Sequence, residues 1–203
     1  MKIICIGRNY VEHAKEMNSS VSSEPVFFLK PETALIKNNQ PFFYPDFSKE
    51  IHYETEIVLK INKPGKNILQ QFASKYYDEM SIGIDFTARD IQNECKEKSL
   101  PWEKAKAFDG SAPVGKFLNK KSFGDAKNIN FHLLLNNRMV QKGNTKDLLF
   151  FFDTIIAYVS AYITLKKGDL IFTGTPKGVG PIKKGDNLEA FIEDQKLLNV
   201  DIK

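Results

Sequence analysis

Cysteine is nearly absent from this chain of 203 residues, which has only Cys5 and Cys95. Two thiols in unlike contexts make neither a disulfide framework nor a zinc site, and a reducing cytoplasm is the expected compartment. Long apolar runs are also missing. The longest stretches, around Leu148 to Phe152 and Ile155-Ile156, are broken by Asp153 and fall far short of a membrane span, so no membrane partner is expected. Met1 to Ile6 is too short for the apolar segment of a secretory signal and is not an Arg- and Ser-rich stretch, so neither a signal peptide nor a transit leader is expected. Lys and Arg number 29 against 25 Asp and Glu, a net charge of +4, yet no block of like charge or basic run with interleaved aromatics occurs. Nucleic acid is therefore not an expected partner. The length suits one domain, residues 1–203, with a sizeable core and no room for a second.

The most informative stretch present is His52-Tyr53-Glu54-Thr55-Glu56, which runs into Ile57-Val58-Leu59 as the front of a β-strand. Strand side chains alternate with period two, so Glu54 and Glu56 share a face. A third carboxylate, Asp85, ends the apolar run Ile82-Gly83-Ile84. Three converging carboxylates repel one another unless a hard divalent cation joins them, and Mg²⁺ or Mn²⁺ is the cation that fits. The alternative is a solvated strand face beside an Asp that caps a helix opening at Thr87.

Lys2 to Ile6 reads as a strand, Gly7-Arg8-Asn9 as a turn, and Asn9 as the N-cap of a short helix through Met17. His13 and Glu16 are i, i+3 neighbours on that helix. Two turns of helix followed by the Ser-rich stretch 18–23 have little to bury, and residues 9–24 read as a mobile lid. Either the pair is catalytic or the helix is an ordinary surface helix with a half-covered His. Val26 to Leu29 between Pro25 and Pro31 is a strand, Gln70 to Met80 a helix, and Asp153 to Leu165 a packed helix. Asn136-Asn137 between Leu133-Leu134-Leu135 and Arg138-Met139-Val140 reads as a hairpin turn. Arg89 and Gln92 lie on the helix after Asp85, with Arg89 either aimed at the acidic pocket or paired with Asp90 or Glu94. Two Lys-Lys-Gly-Asp turns, 166–169 and 183–186, each introduce a strand. The loop Gly174 to Pro181 between them is not a nucleotide-binding P-loop, because no Gly-Lys-Ser/Thr follows. Its glycines leave it either a plain connector or a source of backbone N–H groups for an anion.

Six ordered motifs, Gly7-Arg8-Asn9-Tyr10 with His13 and Glu16, Phe28-Leu29-Lys30-Pro31, His52-x-Glu54-x-Glu56, Asp85-x-Thr87-Ala88-Arg89-Asp90, Lys106-x-Phe108-Asp109 and Thr173-Gly174-Thr175-Pro176-x-Gly178-Val179-Gly180, span nearly the whole chain. Together they resemble the fumarylacetoacetate hydrolase superfamily, in particular its short members of the acylpyruvase and oxaloacetate decarboxylase type. The resemblance implies a β-rich α+β fold, a rolled sandwich or pseudobarrel with short peripheral helices and an N-terminal lid helix. It also implies a homodimer acting on a small anionic keto acid. Glu54, Glu56 and Asp85 would hold Mg²⁺ or Mn²⁺, and His13 and Glu16 would form a catalytic dyad with Lys106 at the substrate. Arg8, Lys30, Arg89, Gln92, Gly174 and Thr175 would orient that substrate. The implied reaction is metal-dependent cleavage of a C–C bond in acylpyruvates to pyruvate and a carboxylic acid, with oxaloacetate decarboxylation at the same site. The same motifs admit isomerisation or decarboxylation of ring-cleavage products of the 2-hydroxyhepta-2,4-diene-1,7-dioate type. A metal-dependent nuclease fits poorly, since a Lys is expected two residues after its Glu and Ile57-Val58 follow Glu56. A non-catalytic metal-binding module would have no use for His13, Glu16 and Lys106.

Overall fold

The computed structural model describes residues 1–17 and 22–203. Its largest sheet has six strands in the order Val26–Lys30, Ile3–Gly7, Leu170–Phe172, Thr55–Ile61, Tyr77–Ile84, Leu118–Asn119. The interior strands are buried on both faces: Ile3 through Ile6 and Ile57 through Leu59 are all nearly inaccessible to solvent, which explains their continuous apolar runs. A second, antiparallel sheet is ordered Arg138–Asn144, Asn130–Leu135, Asn187–Ile192, Gln195–Asp201. Ile57, Leu59, Ile82 and Ile84 of the first sheet share one core with Leu133, Leu188, Ala190, Ile192 and Val200 of the second. Two smaller sheets join Gly180–Pro181, Ile51–Tyr53 and Thr87–Ala88, and Leu35–Ile36 with Ala112–Pro113. The fold is strand-rich and mixed, and among the described residues none of its sheets closes into a barrel.

Local chemistry accounts for several turns. Asn136 and Asn137 take φ of 50° and 64°, the left-handed pair that a two-residue hairpin needs. In the two Gly-Asp turns, Gly168 and Gly185 both have φ near 90°, and Asp169 and Asp186 accept hydrogen bonds from Lys166 and Lys183 N–H at 2.7 and 2.8 Å. These repeated turns are the same structure used twice.

Four expectations need correcting. Only Gln70–Ala73 of the region Gln70 to Met80 is α-helical; Ser74–Tyr76 is a 3₁₀ turn and Tyr77–Ile84 is a strand. Pairing along the whole of Thr55–Ile61, with Lys60 opposite Glu79, outweighs local helical preference there. Thr87 does not open a helix, because Thr87–Ala88 pairs with Ile51 and His52, and the helix is Arg89–Glu97. Asn9 is not the cap of the helix Val11–Glu16; Tyr10 occupies that position. The buried Asn9 side chain instead donates to Phe150 O and Thr173 O and accepts from Phe150 N–H, at 2.9, 2.7 and 2.7 Å. The packed helix is Phe152–Tyr162, ending where Ile163 turns extended. Of the lid expected over residues 9–24, the part at 18–21 lies outside the described residues. No helix among the described residues is long and apolar enough to cross a membrane.

Candidate active site

The pairing register of two adjacent strands assembles the acidic cluster. Thr55 faces Ile84 and Glu56 faces Gly83, and at the next step Asp85 N–H donates to Glu54 O at 2.8 Å. Directly opposed residues of an antiparallel pair share a face, as do residues two apart on one strand. Glu54, Glu56 and Asp85 therefore converge, each offering a carboxylate oxygen within 4.8 Å of the others, and all three are buried.

Cations back two of the three. Lys106 Nζ donates to Glu54 Oε2 at 2.8 Å, Asp85 Oδ2 at 2.7 Å and Thr87 Oγ1 at 2.5 Å, which occupies all three of its N–H donors. Arg89 donates to Glu54 Oε1 and to Gln92 Oε1, both at 2.5 Å, so its guanidinium turns to the pocket and not to Asp90 or Glu94. Lys30 Nζ lies 2.7 Å from Asp85 Oδ1, and its three N–H groups are shared among Phe86 O, Ser111 O, Ser111 Oγ and Lys106 O. The Lys30 side chain is fully buried behind Asp85, so it cannot reach a substrate in the cleft; it anchors the carboxylate that does face it.

Glu56 is different. Its Oε2 accepts the Gly174 N–H at 2.7 Å, and among the described residues no cationic side chain pairs with it. Burial, and then the charge of Asp85, push its carboxyl well above the ordinary range, and the Gly174 N–H offsets only part of this. Burial also opposes ionisation of Glu54, but Lys106 and Arg89 override it and hold that carboxyl well below the ordinary range. Burial likewise disfavours the Lys106 ammonium, yet Asp85 and Glu54 keep its pKa raised. A buried carboxylate trio with one member lacking a counter-charge fits a hard divalent cation, which takes oxygen ligands only.

His13 faces the same cleft, with Glu16 beside it on the more exposed side of the helix. His13 is 7 % exposed, and its Nδ1 lies 3.2 Å from Glu16 Oε2. Gly178 N–H donates to both Glu16 oxygens, at 3.0 and 3.2 Å. The glycine-dense loop thus does present N–H groups to anions, and the anions are the protein's own: Gly174 holds Glu56 and Gly178 holds Glu16. Positive φ at both positions, 104° and 97°, and Cβ positions that would meet Asn9 Cβ at 2.6 Å and Val140 O at 2.7 Å, require glycine there. Gly174 is accordingly a support of Glu56, with its amide unavailable to a ligand. The cleft encloses about 480 Å³ including its open mouth, and Arg8, Gln92, Lys96, Trp102 and Thr175 complete its wall. Arg8, itself at φ 58°, lies over the Trp102 ring.

Sequence reasoning passed over several members of this site. Thr87 and Ser111 supply hydroxyls to the two lysines, and Gln141 is buried between the acidic strand and the glycine loop. A glutamine in a polar hairpin strand carries no signal of its own, because only the packing of distant segments gives it partners.

The family model described as fumarylacetoacetate (FAA) hydrolase C-terminal matches residues 2–203. The chain is 46 % identical over 191 residues to the oxaloacetate tautomerase FAHD1, mitochondrial, of Mus musculus, covering 94 % of this chain and 86 % of that one. It is 40 % identical over 192 residues to the oxaloacetate decarboxylase, mitochondrial, of Dictyostelium discoideum, covering 94 % and 88 %. The solved structure of fumarylpyruvate hydrolase from Pseudomonas aeruginosa in complex with Mn²⁺ and pyruvate superposes with a TM-score of 0.93 at 32 % identity, covering 100 % of this chain and 90 % of that one.

Proposed function

From the premise that the chain belongs to the fumarylacetoacetate hydrolase family and is an enzyme of it, we propose that it moves a proton at C3 of small 2-oxo acids, with oxaloacetate keto–enol tautomerisation as its principal reaction. The observation that carries this is the placement of His13, buried and held by the more exposed Glu16, in the wall of the cleft that also holds the three carboxylates. Relatives named tautomerase and decarboxylase, and a neighbour named fumarylpyruvate hydrolase, support one site serving related chemistry.

Glu54, Glu56 and Asp85 would hold Mg²⁺ or Mn²⁺. When bound, the ion supplies Lewis-acid polarisation of the substrate's keto oxygen. Ionised, the three carboxylates balance the charges of Lys30, Lys106 and Arg89, so a divalent ion leaves the cluster with a net charge of about +2, opposite to that of a dicarboxylate. Arg8 and Lys96 add positive charge to the cleft wall, which favours a second substrate carboxylate.

His13 is the proton carrier. In tautomerisation it takes the enol O–H proton and a proton is delivered to C3, so nothing else is consumed. Glu16 accepts the Nδ1–H, holding the other ring nitrogen toward the substrate, and Gly178 N–H keeps Glu16 in place. Decarboxylation breaks the C3–C4 bond, releases CO₂ and returns a proton to C3. Acylpyruvate hydrolysis breaks the corresponding bond after His13 deprotonates a water that attacks the distal acyl carbon. Of the two C–C cleavages, secondary to tautomerisation, the oriented dyad favours hydrolysis, since decarboxylation needs no base for water.

The test is to follow enol-oxaloacetate loss, pyruvate release from oxaloacetate, and pyruvate release from acetylpyruvate and fumarylpyruvate, each with Mg²⁺, with Mn²⁺ and after chelation. The expected result is divalent-dependent acceleration, greatest for enol-oxaloacetate. Rates indistinguishable from the uncatalysed ones for every substrate would refute the proposal.

The dimer implied by the family resemblance is retained as part of this proposal. It is supported by the edge strand Val26–Lys30, which leaves Leu29 exposed, and by the exposed Tyr162, whose ring packs on Phe27 of that strand. Exposed apolar edges favour association. Sedimentation at micromolar concentration is expected to give twice the mass of one chain; a fully active monomer would contradict it.

A further inference from the structure

Gln141 is 1 % exposed and touches two parts of the site at once. Its Oε1 accepts the N–H of Thr55, the residue between Glu54 and Glu56, at 2.9 Å. Its Nε2 donates to Thr175 Oγ1 at 2.9 Å and to Pro176 O at 3.0 Å. The amide orientation is dictated by the partners: Thr55 N–H can only donate and Pro176 O can only accept, so the oxygen must face the strand and the nitrogen the loop.

This has a consequence for Thr175. Having accepted from Gln141, its hydroxyl must place its own proton elsewhere. Among the described residues the acceptor offered is Pro176 O at 3.5 Å, at the outer limit of a hydrogen bond. Thr175 lines the cleft. We infer that Gln141 is a positioning residue: by donating to Thr175 Oγ1 it turns the hydroxyl into a fixed donor aimed into the cleft, for a carboxylate or keto oxygen of the substrate. Gln141 does not touch the substrate; it acts through Thr175. The inference rests on the proposed keto-acid function, and it adds how the site selects an acceptor oxygen at that point.

Gln141→Glu tests the direction of the hydrogen bond. A carboxylate still accepts from Thr55 N–H but also accepts from Thr175, so the hydroxyl proton turns away from the cleft. Titration of the holoenzyme with pyruvate at saturating Mn²⁺, by calorimetry, is expected to show affinity reduced on the order of 10- to 100-fold, the range for losing a hydrogen bond to a charged acceptor. Mn²⁺ affinity should change by no more than about 2-fold, because the bond to Thr55 survives. Thr175→Val should lose the same amount and Thr175→Ser little. The double variant should be no weaker than either single one, since there is no hydroxyl left to turn. Simple repulsion of the anion by the new carboxylate would instead persist in full in the T175V background, and that result overturns the inference, as does unaltered pyruvate affinity in Q141E. Should Q141E fail to fold, Gln141→Met removes the donor without adding charge and is expected to give a smaller loss with the same non-additivity. A wild-type protein that binds pyruvate and shows this cycle yet turns over no keto acid refutes the proposed reaction and leaves the positioning role standing; one that binds no pyruvate with Mn²⁺ present overturns both.

Discussion

Glu56→Gln is expected to abolish tight divalent-cation binding and, with it, all three activities, while leaving the metal-free fold intact or slightly stabilised. Removing a partner that merely orients a metal ligand typically costs 10- to 100-fold in affinity, so losing a ligand itself should cost at least about 100-fold. The stability half of the prediction follows from what surrounds each carboxylate. Glu56 is buried with a backbone N–H and no cation, and its ionised form is disfavoured by burial and by Asp85. A neutral amide keeps an acceptor for Gly174 N–H and removes that repulsion. Glu54→Gln should behave in the opposite way, because it leaves Lys106 and Arg89 short of a counter-charge in a buried setting, a loss on the order of 3–5 kcal/mol. Thermal unfolding separates the two: in the wild type Mn²⁺ should raise Tm by mass action, in Glu56→Gln it should not, and metal-free Glu54→Gln should melt well below metal-free Glu56→Gln. Unchanged Mn²⁺ affinity in Glu56→Gln, or full activity after exhaustive chelation, would show that the carboxylates do not form the metal site.

Replacing His13 with Ala should separate the reactions. Tautomerisation and acylpyruvate hydrolysis both need a proton carrier beside the substrate, and their kcat/KM should fall on the order of 10²–10⁴-fold, the usual range for a lost general base. Oxaloacetate decarboxylation chiefly needs the polarised keto group and should fall much less. Mn²⁺ affinity should persist, since His13 is not among the three carboxylates proposed to hold the ion. Glu16→Gln should act in the same direction but more mildly: it still reaches Gly178 N–H and His13, but it lacks the charge that supports a protonated imidazole. Kinetics of both variants on enol-oxaloacetate, oxaloacetate and an acylpyruvate, at saturating metal, decide the matter. Hydrolysis surviving within a few-fold would move the base elsewhere, and an equal collapse of all activities would make the helix a binding element and undo the division of labour.

How much of this was legible beforehand varies from residue to residue. The alternation of Glu54 and Glu56, the apolar strands Ile3 to Ile6 and Ile57 to Leu59, the Asn136-Asn137 hairpin and the paired Gly-Asp turns follow from local chemistry: strand period, burial and φ preference all act within a few residues. Family resemblance added His13 and Lys106, which spacing alone left open.

Other features were decided only by tertiary structure. Asp85 meets Glu54 because of the register between Thr55–Ile61 and Tyr77–Ile84, and the same pairing turned an expected helix into a strand. Lys30 lies behind Asp85 rather than against a substrate, because its strand is at one side of the sheet and its side chain enters a ring of backbone carbonyls from residues 86, 106 and 111. Gly174 and Gly178 find their anions in Glu56 and Glu16, more than a hundred residues away along the chain. Hydrogen bonds and ion pairs depend on ångström-scale distance, whereas sequence patterns report only which face of an element a residue occupies; the chain by itself therefore specified the carboxylates and the strand of Glu54 and Glu56, and folding alone chose the full extent of the strand before Asp85 and the partners of all three.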